Sequence, residues 1–433
     1  FELAKKFIRR KLDYFVEILA KPIVEKLLSG IIRTGTLRIV QPTGREDTFG
    51  LTFEASQKLD VPQASLHVTK MDFYRRVILG GALGFAEAYI EGDVEVTCPR
   101  ELTKAFELFI LNRDSNRVDL RNFGISTVKT ALSYIRHLKN RNSISGSRYN
   151  IEAHYDLSND LFATFLGDSW TYSSALWKSS EMTLDEAQWA KLDLIIEKAK
   201  IAAHHHVLEI GFGWGECAIR MVQKTGCRVT GVTLSKEQQL LARKRAEIAG
   251  VADRIRFILC DYRHVEEQFD RIVSIEMIEA VGHEYLGEWF KTLDRCLTRE
   301  GVAVVQVITM PEERYDQYLR SVDFIQKYIF PGGCCPSVAA LMEAMVKSKA
   351  KLVLEGAENL GPHYATTLAE WRRRFLANAD QVRQLGFDNR FIRTWTYYLS
   401  YCEAGFATRT LGLHQLIFTR TGNTRTFGKA PGR

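Results

Sequence analysis

The residues best suited to chemistry begin at Val207, where the chain reads Val-Leu-Glu-Ile-Gly-Phe-Gly-Trp-Gly and ends the motif at Gly215. An apolar strand-like run closes at Ile210. Gly211, Gly213 and Gly215 then let the backbone turn tightly against a ligand before a helix starts. A dinucleotide fingerprint wants glycine at the next position, but this chain has Glu216, and an anion at a helix start opposes a pyrophosphate. S-adenosylmethionine carries no phosphate, and its amino acid end bears an ammonium for which Glu209 is a fitting partner. The loop therefore favours a sulfonium donor over a nicotinamide. Further along, Thr233 and Gln238 fall where ribose hydroxyls should lie, and Asp261 with Tyr262 offers an acceptor and a flat ring to adenine. Taken singly, each is equally a cap or turn residue, and Ser235 suits an N-cap. In this order they point to one cofactor.

Such residues need strands that end along a common edge. Short apolar runs at 207–210, 228–232, 255–259, 271–275 and 302–308 alternate with helical stretches such as 236–249, the signature of a doubly wound, mostly parallel sheet. Extra helices over 312–348 and 368–385 are suited to roofing a pocket at the strand ends. Before this half, residues 2–29 read as one long helix whose start crowds Lys5, Lys6, Arg9, Arg10 and Lys11, with Pro22 as a kink point. Strand-like runs follow at 35–40, 48–53 and 64–68, and an apolar helix at 102–111. The expected organisation is a small α/β unit over 1–112, a basic linker over 113–148 with a short helix at 128–138, a catalytic domain over 149–425 and a tail over 426–433.

Composition narrows the classes. With 433 residues, 46% hydrophobic and 26% charged, the chain is too long for one core and ordinary for a globular protein. No apolar run reaches the length of a membrane span. A net charge of +7 favours an anionic partner, and the lack of an RRM signature or zinc-finger spacing points to phospholipid headgroups rather than nucleic acid. Eight cysteines without a CxxC pair read as reduced thiols of an intracellular protein. His204 to His206 lack spaced partners and read as a polar turn, so no metal site is expected. The sequence opens at Phe1, which leaves a preceding targeting segment open.

Longer motifs add a resemblance. His154 to Phe162, Thr171 to Ala175, Glu276 to Gly282, Lys327 to Gly333 and His363 to Leu368 resemble, in collinear order, the cyclopropane fatty acid synthases, including the mycolic acid cyclopropane synthases. Phe85 to Val94 resembles the N-terminal domain of their full-length bacterial and plant-type members. The fold implied is a Rossmann-like S-adenosylmethionine methyltransferase domain with helical insertions, preceded by a small α/β lipid-binding domain. The reaction implied is attack of a cis alkene on the sulfonium methyl, giving a transient carbocation that a bound bicarbonate deprotonates as the ring closes. Such chemistry needs in-line placement and a dry cavity.

Carried over by motif, Glu279, Tyr364, Ser174, Gln306 and Ile308 form the grip on that bicarbonate, and Tyr172, Ser173 and Ile275 join Glu209, Gly211, Gly213, Gly215, Thr233, Gln238, Asp261 and Tyr262 around the cofactor. Ser174 and Gln306 stand where many bacterial members have cysteine and histidine, and Glu276 where many have glycine and a backbone contact. Glutamine cannot relay a proton as histidine can, so a methyl- or methylene-branched acyl or sphingoid product stays beside the cyclopropane. A non-catalytic lipid-binding protein is the alternative outside enzymes. The resemblance also implies an unsaturated phospholipid acyl chain as substrate, a cytoplasmic protein lying peripherally on the membrane, and a homodimer. The basic cluster beside Phe7 and Ile8 suits that surface.

Overall fold

A computed structural model of the chain describes residues 19–116 and 158–428. The basic start of the first helix, the helix expected at 128–138 and the motif residues His154 to Leu157 lie outside the described residues. The chain forms two compact units: one takes in residues 1–136, 321–329 and 376–410, the other residues 137–320, 330–375 and 411–433.

The first unit is built on a four-stranded sheet of β1 (Thr36–Val40), β2 (Glu46–Gly50), β3 (Gln63–Val68) and β4 (Val94–Glu95), in the order β2-β1-β3-β4. β1 and β2 form a hairpin whose turn is closed by the Gln41 amide donating to the Arg45 carbonyl at 2.8 Å. The run expected as strand through Phe53 ends earlier. Thr52 accepts from the Ala55 amide and caps a helix over Phe53–Lys58, a local bond that the strand ladder cannot match. The apolar run at 102–111 lies inside a helix over Pro99–Asn116. That helix packs on Asn389–Ala407, with the rings of Phe106 and Tyr397 edge-on at 4.9 Å. Arg393 adds its guanidinium over the Tyr89 ring at 4.3 Å. The aromatic face of the late helix finds its partners here, so this unit recruits chain well beyond residue 112.

The second unit centres on a seven-stranded sheet of β5 (His206–Ile210), β6 (Arg228–Thr233), β7 (Ile255–Leu259), β8 (Phe269–Ile275), β9 (Leu297–Thr309), β10 (Val353–Asn359) and β11 (Gly412–Thr419), ordered β10-β11-β9-β8-β5-β6-β7. β9, β8, β5, β6 and β7 run parallel, and β11 pairs antiparallel with both β9 and β10. The five parallel strands are those expected from the sequence; β10 and β11 are additional. Each sheet face is covered. Leu286–Cys296 brings Trp289, Phe290 and Leu293 to one side, and Leu184–Lys198 with Glu216–Thr225 brings Leu192, Ile195, Ala218 and Val222 to the other. From β5 the chain winds outward to β6 and β7, then returns to β8 on the opposite side. The crevice at this reversal, beyond the carboxyl ends of β5 and β8, is where open α/β sheets bind ligands.

His206 opens β5 and its Nε2 meets Thr230 Oγ1 at 2.9 Å, and among the described residues no cluster of side chains could hold a metal ion. All eight cysteines are free. Among the described residues no helix is long and apolar enough to cross a membrane.

Candidate active site

The loop after β5 bends as its glycines require. Gly211 has φ +80°, and a Cβ there would come within 2.7 Å of Met277 Cγ. Gly213 has φ +54°, and a Cβ at that position would meet no atom within 4 Å, so its open side faces free space. Gly215, in the left-handed region at φ +87°, is the N-cap of Glu216–Thr225. One cavity is lined by Gly211 and Gly213 together with Tyr172, Ser173, Glu209, Thr233, Gln238, Asp261, Tyr262 and Ile275. Of the expected cofactor residues, only Gly215 stands off its wall, where it shapes the turn. Trp170, Phe212 and Trp214 supply aromatic surface.

The donor set fits S-adenosylmethionine. Glu209 is 2% exposed, and among the described residues its Oε2 has no hydrogen-bond partner. Such an oxygen is costly to bury unless a ligand donates to it. Burial pushes the Glu209 carboxyl up to about 7, while the Cys217 thiol and the Lys191 ammonium act in the opposite sense. An ammonium arriving at Oε2 would hold it ionised. Thr233 donates to Gln238 Oε1 at 2.9 Å, and Ser235 caps the following helix by accepting from the Gln238 amide. Asp261 does not stand open as expected. Arg263 grips it with two bonds of 2.9 and 2.6 Å, because Asp261 also caps the tight turn at Tyr262–His264 and so draws the next side chain back onto itself.

Behind this cavity lies a buried polar cluster centred on Glu276. Glu276 follows β8 directly and takes the left-handed conformation, φ +48°, that glycine adopts more readily. Its amide donates to the Gln306 carbonyl at 2.8 Å. Its Oε1 accepts from the Ser174 amide at 2.9 Å and from Gln306 Nε2 at 2.7 Å, and its Oε2 accepts from the Tyr364 hydroxyl at 2.6 Å. Ser174, Gln306 and Tyr364 are thus brought together, but on a carboxylate that belongs to the chain. Glu279 accepts from the Ile308 amide through Oε1, and among the described residues its Oε2 has no partner. Neither Glu279 nor Tyr364 lines the cavity; Glu276 does. The residues expected to grip a bicarbonate therefore do not fit a free ion, since three of their donors already converge on Glu276.

The electrostatics separate the two carboxyls. Burial pushes both upward. At Glu276 three hydrogen bonds and the Lys191 ammonium oppose that shift. At Glu279 the neighbouring charge of Glu276 adds to it, carrying the group up to about 8. Three donors and a cation favour the charged form of Glu276 over that of its poorly solvated neighbour, which burial and the adjacent charge push toward the protonated form. Lys191 belongs to none of the sequence motifs. It is 1% exposed on Leu184–Lys198 and donates to Ser173 Oγ at 2.7 Å, with burial lowering it to about 8. Its position on the stripe Leu184, Ala187, Gln188, Lys191, Ile195 was a legible signal, since all five are buried.

A parallel sheet with an antiparallel β11 and a glycine-loop cavity at the β5/β8 reversal defines an S-adenosylmethionine-dependent methyltransferase. Residues 143–416 match the family described as mycolic acid cyclopropane synthetase, and the chain belongs to that family. It is 38% identical to the tuberculostearic acid methyltransferase of Mycobacterium tuberculosis over 85% of this chain and 86% of that protein. It is 36% identical to the cyclopropane-fatty-acyl-phospholipid synthase of Escherichia coli over 82% and 88% of the two. A solved mycolic acid cyclopropane synthase, complexed with SAH and CTAB, superposes with a TM-score of 0.59 at 33% identity, covering 63% of this chain and 98% of that one. The chemistry of the chain is S-adenosylmethionine-dependent transfer to a lipid, giving a cyclopropane or a methyl group.

Proposed function

We propose that this chain converts the cis double bond of an unsaturated phospholipid acyl chain into a cyclopropane. The observation that carries the reading is that the glycine loop and a buried, donor-rich carboxylate, Glu276, share one cavity with aromatic walls. When bound, S-adenosylmethionine supplies an electrophilic methyl on a positively charged sulfur. Glu209 offers its lone oxygen to the amino acid end, and Thr233 with Gln238 faces the ribose region. Trp170, Tyr172, Phe212 and Trp214 keep water from a cation that water would trap. The two relatives with the highest identities given above are named for a fatty acid methyl transfer and for a phospholipid cyclopropane synthesis, which supports an acyl chain as acceptor.

The acceptor sits in a bilayer, so the protein works peripherally at the membrane surface, with its net charge of +7 drawing it to anionic headgroups. A lipid carrier without activity has no need of the glycine loop or of a carboxyl held by three donors. The test is incubation with labelled S-adenosylmethionine and vesicles of cis-unsaturated or fully saturated phospholipid. Transfer to the unsaturated lipid alone, with cyclopropane protons in the NMR spectrum of the product, supports the reading. Transfer to neither lipid overturns it.

A further inference from the structure

We infer that the Glu276 carboxylate is the base of this reaction, built into the chain where a free bicarbonate would otherwise be held. The inference rests on the methyl transfer proposed above and goes beyond it in naming the group that ends the reaction. Its ground is the convergence of the Ser174 amide, Gln306 Nε2 and the Tyr364 hydroxyl on the two oxygens of one carboxylate at 2.9, 2.7 and 2.6 Å. A planar anion held by an amide, a carboxamide and a phenol is what such a grip is for, and here the anion arrives on a side chain. Glu276 alone of this cluster reaches the cavity that also holds the glycine loop.

The surrounding residues are fitted to that occupant. Glu276 has φ +48°, a strained conformation for a side chain of its size, so the backbone holds a costly geometry in order to aim the carboxylate inward. Gln306 donates through Nε2 to Glu276 while its Oε1 accepts from Gln415 Nε2 at 2.9 Å, which fixes the amide with its donor face toward the carboxylate. Gln415 Oε1 in turn accepts from Lys198 Nζ at 2.6 Å, locking the chain of bonds in one direction. A glutamine so held cannot itself take a proton, and the carboxylate it serves can. Ser174, Gln306 and Tyr364 are on this account positioning residues, and Lys191 supplies a nearby positive charge.

The step balances without any other reactant. The π pair of the alkene forms the bond to the methyl carbon as the carbon–sulfur bond breaks, with its pair left on sulfur, and a cation forms on the neighbouring chain carbon. Glu276 then takes one proton from the newly attached methyl. The pair of that C–H bond closes onto the cationic carbon as the second ring bond, and the proton leaves Glu276 to water after release.

The test compares wild type with Glu276→Gln and Glu276→Gly. The wild-type rate of methyl transfer should be the same in carbon dioxide-stripped buffer and in buffer with added bicarbonate, and 13C-labelled bicarbonate should show no bound signal by NMR. Glu276→Gln should lose roughly 100-fold in rate, with S-adenosylmethionine binding by calorimetry intact. Glu276→Gly should bind labelled bicarbonate and regain part of the lost rate when it is added. A wild-type rate that falls on stripping and returns with bicarbonate, or a bound bicarbonate signal in the wild type, overturns the inference. Should either variant lose S-adenosylmethionine binding through misfolding, the two wild-type measurements still decide. If the wild type transfers no methyl at all, the proposed function fails, whereas the labelled-bicarbonate signal still reads whether the grip is taken by Glu276.

Discussion

Tyr364 donates its hydroxyl to Glu276 Oε2 at 2.6 Å, across 88 residues of sequence. The bond ties the helix Gly361–Ala377 to the turn after β8 and fixes one of the two oxygens of the buried carboxylate. Removing the hydroxyl with Tyr364→Phe leaves that oxygen short of a donor. A lost hydrogen bond to a charged group costs about 1.5–3 kcal/mol, so kcat should fall by roughly 10- to 100-fold while the Kd for S-adenosylmethionine holds. Steady-state kinetics beside calorimetry separates the two.

Gly211 tests the cofactor loop. At φ +80°, with Met277 Cγ 2.7 Å from where a Cβ would sit, Gly211→Ala strains the turn and crowds the cavity edge together. S-adenosylmethionine affinity should drop at least about tenfold, equivalent to about 1.4 kcal/mol, as read by calorimetry. An alanine variant that binds as tightly as wild type would show that the loop does not face the donor.

Glu279 should leave a mark on stability. Its folded-state carboxyl is raised to about 8 by burial and by the charge of Glu276. Between the usual carboxylate range and that value, the folded protein keeps a proton that the unfolded chain has released, so stability falls as pH rises through this window. Glu279→Gln cannot titrate. As pH rises from about 5 to about 8 it should therefore gain stability relative to wild type, by at most about 1.4 kcal/mol per pH unit, measured as the change in the Tm difference between the two proteins.

The basic start of the chain lies outside the described residues, but its charge is in the sequence: Lys5, Lys6, Arg9, Arg10 and Lys11. Replacing all five with glutamine should weaken binding to anionic vesicles by at least about tenfold and leave S-adenosylmethionine affinity unchanged. Co-sedimentation with vesicles reads the first and calorimetry the second.

What the sequence made legible follows from how local each signal is. The glycine loop, the five parallel strands and the Ser235 cap rest on short-range patterns, and the structure has them where the periodicity places them. β10 was hidden because Val353–Asn359 is largely exposed and carries a glycine, so it shows no alternation. The helix 389–407 could be read as a helix from its pattern, but not as part of the first unit, since its partners Phe85 and Phe106 lie roughly three hundred positions earlier. At the site, the sequence showed Glu276 as a departure at a glycine position, and it showed Ser174 and Gln306 as two more. That the three departures meet in one cluster is a tertiary fact. Gln306 meets Glu276 through its side-chain amide, whereas Ser174 meets it through its backbone amide and turns its hydroxyl to the Ala175 carbonyl.

Ring closure requires that a proton leave the transferred methyl itself, inside the cavity that Gly213 and Glu276 both line. The most direct measurement uses S-adenosylmethionine carrying a fully deuterated methyl, cis-unsaturated phospholipid, and mass spectrometry of the released acyl chains. The product should keep two of the three deuterium atoms. A product that keeps all three would mean that the proton came from the acyl chain, that the ring never closed and that Glu276 does not take a proton from the methyl.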